Sequence, residues 1–412
     1  MEKDTQFKKN FIWNTIGNTL SAFNSLFFMI IATRINGLND AGIFTLAFST
    51  ACILFAVGIY AGRVYQVTEL DKKISDKDFI INRTISCLTM IILLLCFCFI
   101  KRYDFTKTTI FLLLTLYKAF DAFSDVIYGI LQKNDKLEIV GKSLSIKSIL
   151  SLFAFLVFDL IFKNIIIASL SVVLVYLIVL IVYDYRNAYK YINFETKINI
   201  KNVLNIFKNG FFVFAISFLG MYVVNAPKYS IDNFLENDIL TIFGIIVMPA
   251  TIMSLVAQFL IHPYLNEMLR LYEEKDENNF KKLVLKIILM IIVFGIFATI
   301  IGFLIGTQVL GFIYGIDLST YKIQLAVIII SATLYTIGTV CSSVLTTFRD
   351  TFSQFIIYVI VTLIAYISSN LCTKYFEFDG AIFAYALIMF AQSLLYLTYT
   401  QIKIKKVFKG KE

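Results

Sequence analysis

Twelve apolar stretches, each of about twenty residues, decide what this chain can become. They lie near 11–33, 41–62, 81–100, 108–131, 144–162 and 164–184, and then near 209–228, 238–262, 283–308, 322–346, 352–372 and 379–400. Each is long enough for a helix to cross the hydrocarbon core of a bilayer. Each is too long for a barrel strand and lacks strict alternation. Lys163 and the pair Arg349-Asp350 divide two longer runs into separate spans. Hydrophobic residues make up 59% of the chain and charged residues 16%, more apolar surface than a soluble core of this size can hide. The reading is an all-α integral membrane protein of about twelve transmembrane helices.

The net charge of +9 does not point to nucleic acid. The basic residues sit in short connections and at the C-terminus, not on one face or arm. Placing the N-terminus in the cytoplasm collects about 28 of the 37 basic residues on one side. These include Lys3, Lys8 and Lys9, Lys72, Lys73 and Lys77, the 185–208 and 263–286 connections, and Lys403, Lys405, Lys406, Lys409 and Lys411. Both termini are therefore expected in the cytoplasm. The first apolar stretch is longer than a signal-peptide core and is expected to remain as the first span.

The 185–208 connection divides the spans evenly. It predicts an N-terminal six-helix lobe over 1–184, a cytoplasmic linker over 185–208, and a C-terminal lobe over 209–412 with a basic tail. A faint repeat supports the division. Ala32-Thr33-Arg34-Ile35 followed by Asn39-Asp40 is echoed by Ala226-Pro227-Lys228-Tyr229 followed by Asn237-Asp238. Six helices per half with the same sidedness implies a parallel repeat about an axis along the membrane normal, an architecture typical of transporters. Two pseudo-symmetric lobes around a central cavity are the expected arrangement.

Polar groups inside the spans are the first functional candidates, because a charge in hydrocarbon costs several kcal/mol. Lys118, Asp121 and Asp125 fall on one face of the fourth helix at spacings of three and four. Two roles fit them: a neutralised pair that holds helices together, or contact with substrate or ion. Asn14, Asn18, Ser21 and Ser25 make a polar stripe on the first helix, suited either to a wet cavity or to interhelical hydrogen bonds. Arg34 and Lys228 lie near outer helix ends and Arg63 at an inner one, placed for phosphate oxygens or for ordinary lipid headgroups. Asp159 and Asp232 are expected to be solvated at the outer side, and Pro249 marks a possible kink in the eighth helix. The connection 264–282 and the stretch Arg63 to Asn82 are expected at the inner interface.

The six cysteines lie in or at the ends of apolar runs, without metal-ligand spacing, and Cys96 and Cys98 point apart on a helix. His262, the single histidine, precedes Pro263 at a helix end. No P-loop, zinc motif or Ser/His/Asp set is visible, so neither a cofactor nor a metal is expected. Short outer connections disfavour a membrane glycan polymerase. The chain reads as a carrier, not an enzyme.

Several segments resemble the Wzx-type polysaccharide flippases. The opening Lys9-Asn10…Asn14-Thr15…Gly17-Asn18 leads into Ala32-Thr33-Arg34-Ile35-Asn36-Gly37 and Asp40-Ala41-Gly42-Ile43-Phe44. Gly62-Arg63-Val64-Tyr65-Gln66-Val67, Ser75-Asp76…Arg83-Thr84 and the Lys228-Tyr229 entry to the eighth helix add to it. Ile35-Asn36-Gly37 departs from the family's usual Leu-Gly after the arginine. The resemblance implies the fold of the multidrug/oligosaccharidyl-lipid/polysaccharide exporter (MOP) superfamily. It also implies a job: moving undecaprenyl-diphosphate-linked repeat units of O-antigen, lipopolysaccharide or capsule from the inner to the outer leaflet of the bacterial cytoplasmic membrane by alternating access.

On that resemblance Arg34, Arg63, Lys118 and Lys228 become candidate diphosphate or acidic-sugar contacts. Asn14, Asn18 and Asn225 become sugar contacts, and Asp121 and Asp125 couple transport to a proton or sodium ion. Its partners would be the lipid-linked oligosaccharide, membrane lipids and the glycan polymerase machinery. The alternative within the superfamily is a multidrug or small-molecule cation antiporter, which predicts acids dominating the cavity.

Overall fold

The computed structural model describes residues 2–60, 62–68, 74–192 and 196–410, with side chains from residue 6 onward. Among these residues nine helical runs are long and apolar enough to span a bilayer. Two of them are pairs of helices joined through a single non-helical residue. Glu2–Ile59 breaks at Gly37 (φ 83°, ψ −178°), giving α1 (2–36) and α2 (38–59). Thr351–Phe408 breaks at Glu377 (φ 50°, ψ −128°), giving α11 (351–376) and α12 (378–408). The remaining spans are α3 (Asp76–Lys101), α4 (Phe105–Lys133), α5 (Leu137–Phe162), α6 (Ile165–Val179), α7 (Ile200–Phe234), α8 (Asn237–Ile261), α9 (Glu277–Ile301) and α10 (Lys322–Thr347). With α4, whose charges keep it outside the apolar nine, the described residues contain twelve spans, as the sequence predicts.

Local chemistry sets the ends. Gly37 occupies backbone space that is essentially glycine's alone, so α1 turns into α2 without a loop. A reciprocal box between Ser75 and Asp78 opens α3. Asp104 accepts from the Lys107 amide at 3.2 Å to start α4. Asn164 accepts from the Ile166 and Ile167 amides to start α6. Each such cap is worth about 0.5–2 kcal/mol. Left-handed residues stop helices at the breaks expected from charge: Lys163 (φ 46°) after α5 and Arg349 (φ 57°) after α10. Single π-turns extend α6 through Leu180–Tyr185 and α9 through Gly302–Gly306.

The chain divides into two compact units, Met1–Met221 and Tyr222–Glu412. In the first, α1 and α5 cross at a glycine pair: a Cβ on Gly17 would strike the Gly141 backbone, and one on Gly141 the Trp13 backbone. Phe28, Phe44 and Phe155 fill the space between α1, α2 and α5, with centroids 5.0–6.5 Å apart. In the second unit, Gly295 gives α9 close approach to Thr333 of α10, and Ser230 of α7 shares a 2.8 Å hydrogen bond with Thr373 of α11.

A short helix, Leu265–Glu273, joins α8 to α9. It buries Met268 and Leu271 and exposes its charged residues, the amphipathic segment expected at the interface. Its 3₁₀ approach carries His262, which is exposed. Cys96 is exposed and Cys98 buried, so the two thiols do point apart. Part of the connection 63–82 is the short helix Gly62–Thr68; Lys72 and Lys73 lie outside the described residues.

Asp159 corrects an expectation. It is fully buried, not solvated, and both of its carboxylate oxygens accept from Asn36 Nδ2 at 2.8 and 2.7 Å. Its position near the end of α5 looked like an outer edge, but the end of α1 covers it.

Candidate functional site

The charges of α4 converge with those of its neighbours into a buried polar seam inside the first unit. Lys118 Nζ lies 3.2 Å from Asp121 Oδ2. It is boxed by rings, 4.7 Å from the Tyr117 centroid, 5.1 Å from Phe55 and 5.8 Å from Phe48. Aromatic faces compensate a desolvated ammonium, and the ion pair is mostly buried.

One turn on, Asp125 takes a different partner. Arg83 of α3, 4% exposed in its side chain, donates Nη2 to Asp125 Oδ2 at 3.1 Å and Nη1 to the Ala122 carbonyl at 2.8 Å. Arg63 approaches the same carboxylate more loosely, with Nε 3.9 Å from Oδ1 and 27% of its side chain exposed. Two guanidinium groups thus share one carboxylate, a local excess of one positive charge. Arg83 Nε, Asn82 Nδ2 and Ser86 Oγ are buried nearby on α3 without a hydrogen-bond partner among the described residues. The seam therefore holds donor capacity beyond what the described residues satisfy.

The third group was not foreseen from the sequence. Lys147 of α5 and Asp184, in the π-turn after α6, are both fully buried and pair at 2.6 Å. Lys147 also donates to Ser124 Oγ and, at 3.0 Å, to Tyr128 OH. Ser143 donates to the second oxygen of Asp184 and shares a 2.8 Å bond with Tyr128. Every charged atom has a partner, which is what a buried pair needs to offset desolvation. A visible signal existed: Lys147 stands among Ser143, Ser145, Ser148 and Ser151 at the start of an apolar helix, a polar face that only another polar element could cover.

The other candidates are distributed. Asn18 donates Nδ2 to Asn14, at 2.7 Å to its carbonyl and 3.0 Å to its side chain, and Asn18 stays exposed. The stripe continues at Asn24, buried and bonded to Ser151 of α5 at 3.3 Å. Arg34 is exposed near the end of α1. Asn225 and Lys228 are partly buried on α7 in the second unit, on either side of Pro227. Of the sequence-predicted set, then, Arg63 meets Asp125, Lys118 meets Asp121 and Asn14 meets Asn18. The trio on α4 does not act as one group.

Comparison with solved structures identifies the architecture. A multidrug resistance MATE family transporter of the MOP superfamily, in an inward-facing conformation, superposes with a TM-score of 0.71, covering 98% of this chain and 100% of that one at 11% identity. The fold is that of the MOP transporters. A MATE transporter from Vibrio cholerae in its bent form matches at a TM-score of 0.58 and 12% identity over 98% of each chain. A MOP superfamily transporter from Pyrococcus furiosus, described as having a binding pocket of reverse polarity that suggests a different function, matches at a TM-score of 0.58 and 12% identity over 98% of this chain and 96% of that one. The MOP fold carries twelve helices in two lobes. By sequence, the chain is 26% identical over 326 residues to the capsular polysaccharide biosynthesis protein CapF of Staphylococcus aureus, covering 78% of this chain and 80% of that one. No family model matches.

Proposed function

We propose that this MOP-fold transporter moves an isoprenyl-diphosphate-linked oligosaccharide from the inner to the outer leaflet of a bacterial cytoplasmic membrane. The observation that carries the reading is the Arg63–Asp125–Arg83 group. Arg83 satisfies Asp125 at hydrogen-bond distance, so the looser Arg63 keeps its charge available. An anionic headgroup is what such a site recognises, since guanidinium donors match phosphate oxygens. The likeness to a capsular polysaccharide biosynthesis protein supports a glycan as the attached cargo. A sugar hydroxyl left unpaired in hydrocarbon costs several kcal/mol, and Asn14, Asn18 and Asn225 would replace its lost water. The lipid tail need never leave the bilayer.

In this mechanism both termini are cytoplasmic, and the helices work as an N-terminal and a C-terminal lobe. Arg63 receives the diphosphate near the cytoplasmic side, and Lys118, Arg34 and Lys228 contact it or acidic sugars during passage. Arg83 is a positioning residue that fixes Asp125. Asp121 and Asp125 are the candidates for coupling to a proton or sodium ion, driven by a field worth about 2.3 kcal/mol per charge per 100 mV.

A multidrug cation antiporter is the second reading, supported by the MATE neighbours and by the carboxylates of α4. The discriminating experiment locates lipid-linked oligosaccharide in cells lacking the gene and in cells complemented with intact, Arg63→Ala or Arg63→Lys protein. The flippase reading expects accumulation on the cytoplasmic face, reversed by the intact gene, not by Arg63→Ala, and partly by Arg63→Lys. Normal outer-face delivery in the deletion strain, together with increased sensitivity to lipophilic cations, would sink it in favour of the antiporter.

A further inference from the structure

We propose that the basic end of α9 binds a two-phosphate, multi-chain anionic phospholipid of the diphosphatidylglycerol type. Two apolar grooves flank this helix within the second unit, and Leu285 lines both. The groove between α8 and α9 has a volume of about 720 Å³ and is walled by Val256, Leu260, Leu289 and Phe297 among others, with Lys282 and Lys286 at one end. The groove shared by α9, α10 and α12 has a volume of about 320 Å³ and is walled by Ile288, Leu397 and Ile404 among others, with Lys281 and Lys405 at its mouth.

Each groove thus combines an apolar trough with a pair of ammonium groups at the same end of α9. Basic pockets between transmembrane helices at a membrane surface are the setting in which anionic headgroups are held. Lys286 lies 5.3 Å over the Tyr264 ring, and an interfacial tyrosine marks the headgroup level. Lys281 also pairs with Glu277 at 2.5 Å, so the first groove carries the stronger positive field.

Length argues for an ordinary acyl chain. From Lys286 to Phe297 α9 rises about 16 Å at 1.5 Å per residue, close to half of a hydrocarbon core about 30 Å thick. Adjacency argues for a linked headgroup. Lys281 and Lys282 are consecutive, so the two phosphates would sit on neighbouring residues. Two separate anionic lipids there would repel each other, whereas a shared glycerol bridge fixes their spacing and makes the second contact intramolecular. None of these lysines is among the substrate contacts proposed above.

The test uses purified full-length protein titrated with diphosphatidylglycerol, or with phosphatidylglycerol at matched phosphate, followed by native mass spectrometry and thermal unfolding. The expected result is one retained diphosphatidyl lipid per chain with a raised unfolding midpoint. Retention should weaken at least fivefold in K282Q/K286Q, and also, less strongly, in K281Q/K405Q. These lysines are on the surface, and unaltered size-exclusion elution confirms folded variants. Equal retention and stabilisation by phosphatidylglycerol would overturn the proposal, as would an undiminished adduct in the four-lysine variant.

Discussion

The two units solve the problem of polarity inside a membrane in opposite ways. Among the described residues the buried charges, Asp78, Arg83, Lys147, Asp159 and Asp184, all lie in the first unit. The buried polar residues of the second are neutral, from Ser230 and Thr241 to Gln392, Ser393 and Thr400. There Gln392 donates to Tyr358 OH at 3.4 Å, Tyr358 packs against Tyr396 at 5.8 Å, and Ser342 donates to Gln354 at 2.7 Å. The difference teaches where each interior tolerates loss. A neutral amide without a partner, such as Gln392 Oε1, costs about 1–3 kcal/mol. An ion stripped of its counter-ion costs more and has nowhere to relax.

The sharpest way to break this contrast is the Lys147–Asp184 pair. Lys147→Ala or Asp184→Asn is expected to destabilise the protein by about 3–5 kcal/mol, read as loss of monodisperse protein and a lowered unfolding midpoint. The double change Lys147→Met with Asp184→Leu should recover most of that loss. A double variant as unstable as the singles would mean the network does more than neutralise charge.

Arg83→Met comes next. It strands Asp125 and turns Arg63 toward it, and should reduce export at least tenfold while Arg63→Ala leaves stability nearly unchanged. Equal loss of folded protein in both variants would erase the distinction between a positioning and a contacting arginine. Gln392→Leu in the second unit should fall within about 1 kcal/mol of the parent; a penalty matching that of Lys147→Ala would abolish the contrast.

The smallest effect is expected at Asp350, in the connection between α10 and α11. Burial raises its carboxyl pKa, but the Ser353 hydroxyl, the Tyr399 hydroxyl, the Ser353 amide and Lys403 together hold it below the usual carboxylate range. Its folded pKa is therefore depressed, so its contribution is complete above the ordinary carboxylate pKa and fades as pH falls through the folded value. Asp350→Asn should cost about 1 kcal/mol or less at neutral pH, with the gap to the parent closing in acid. A gap that stays constant with pH would show the carboxylate's charge to be irrelevant.

The twelve spans were legible because bilayer thickness imposes one length on every crossing, and charges such as Lys163 and Arg349-Asp350 mark the interruptions. The expectation for Asp159 failed for a specific reason: position along a helix says how deep a residue lies, not what covers it, and Asn36 of another helix does the covering. The α4 charges were singled out, with a neutralised Lys–Asp pair as one of two roles, yet the partners that Asp125 takes from other helices were not. Arg83 stands near the start of an apolar run and Asp184 at the end of one, and neither position names a partner on another helix. Only the packing of α3, α4, α5 and the turn after α6 brings them to Asp125 and Lys147. Helical spacing orders groups along one cylinder; partners on other cylinders are set by packing that a periodicity does not contain.

The one-residue joint at Gly37 also governs how this protein can be handled. Because α1 passes into α2 with no spare backbone, an epitope tag or reporter inserted there would displace two helices at once. A binder raised against the joint where α1 meets α2 would find little chain to grasp there.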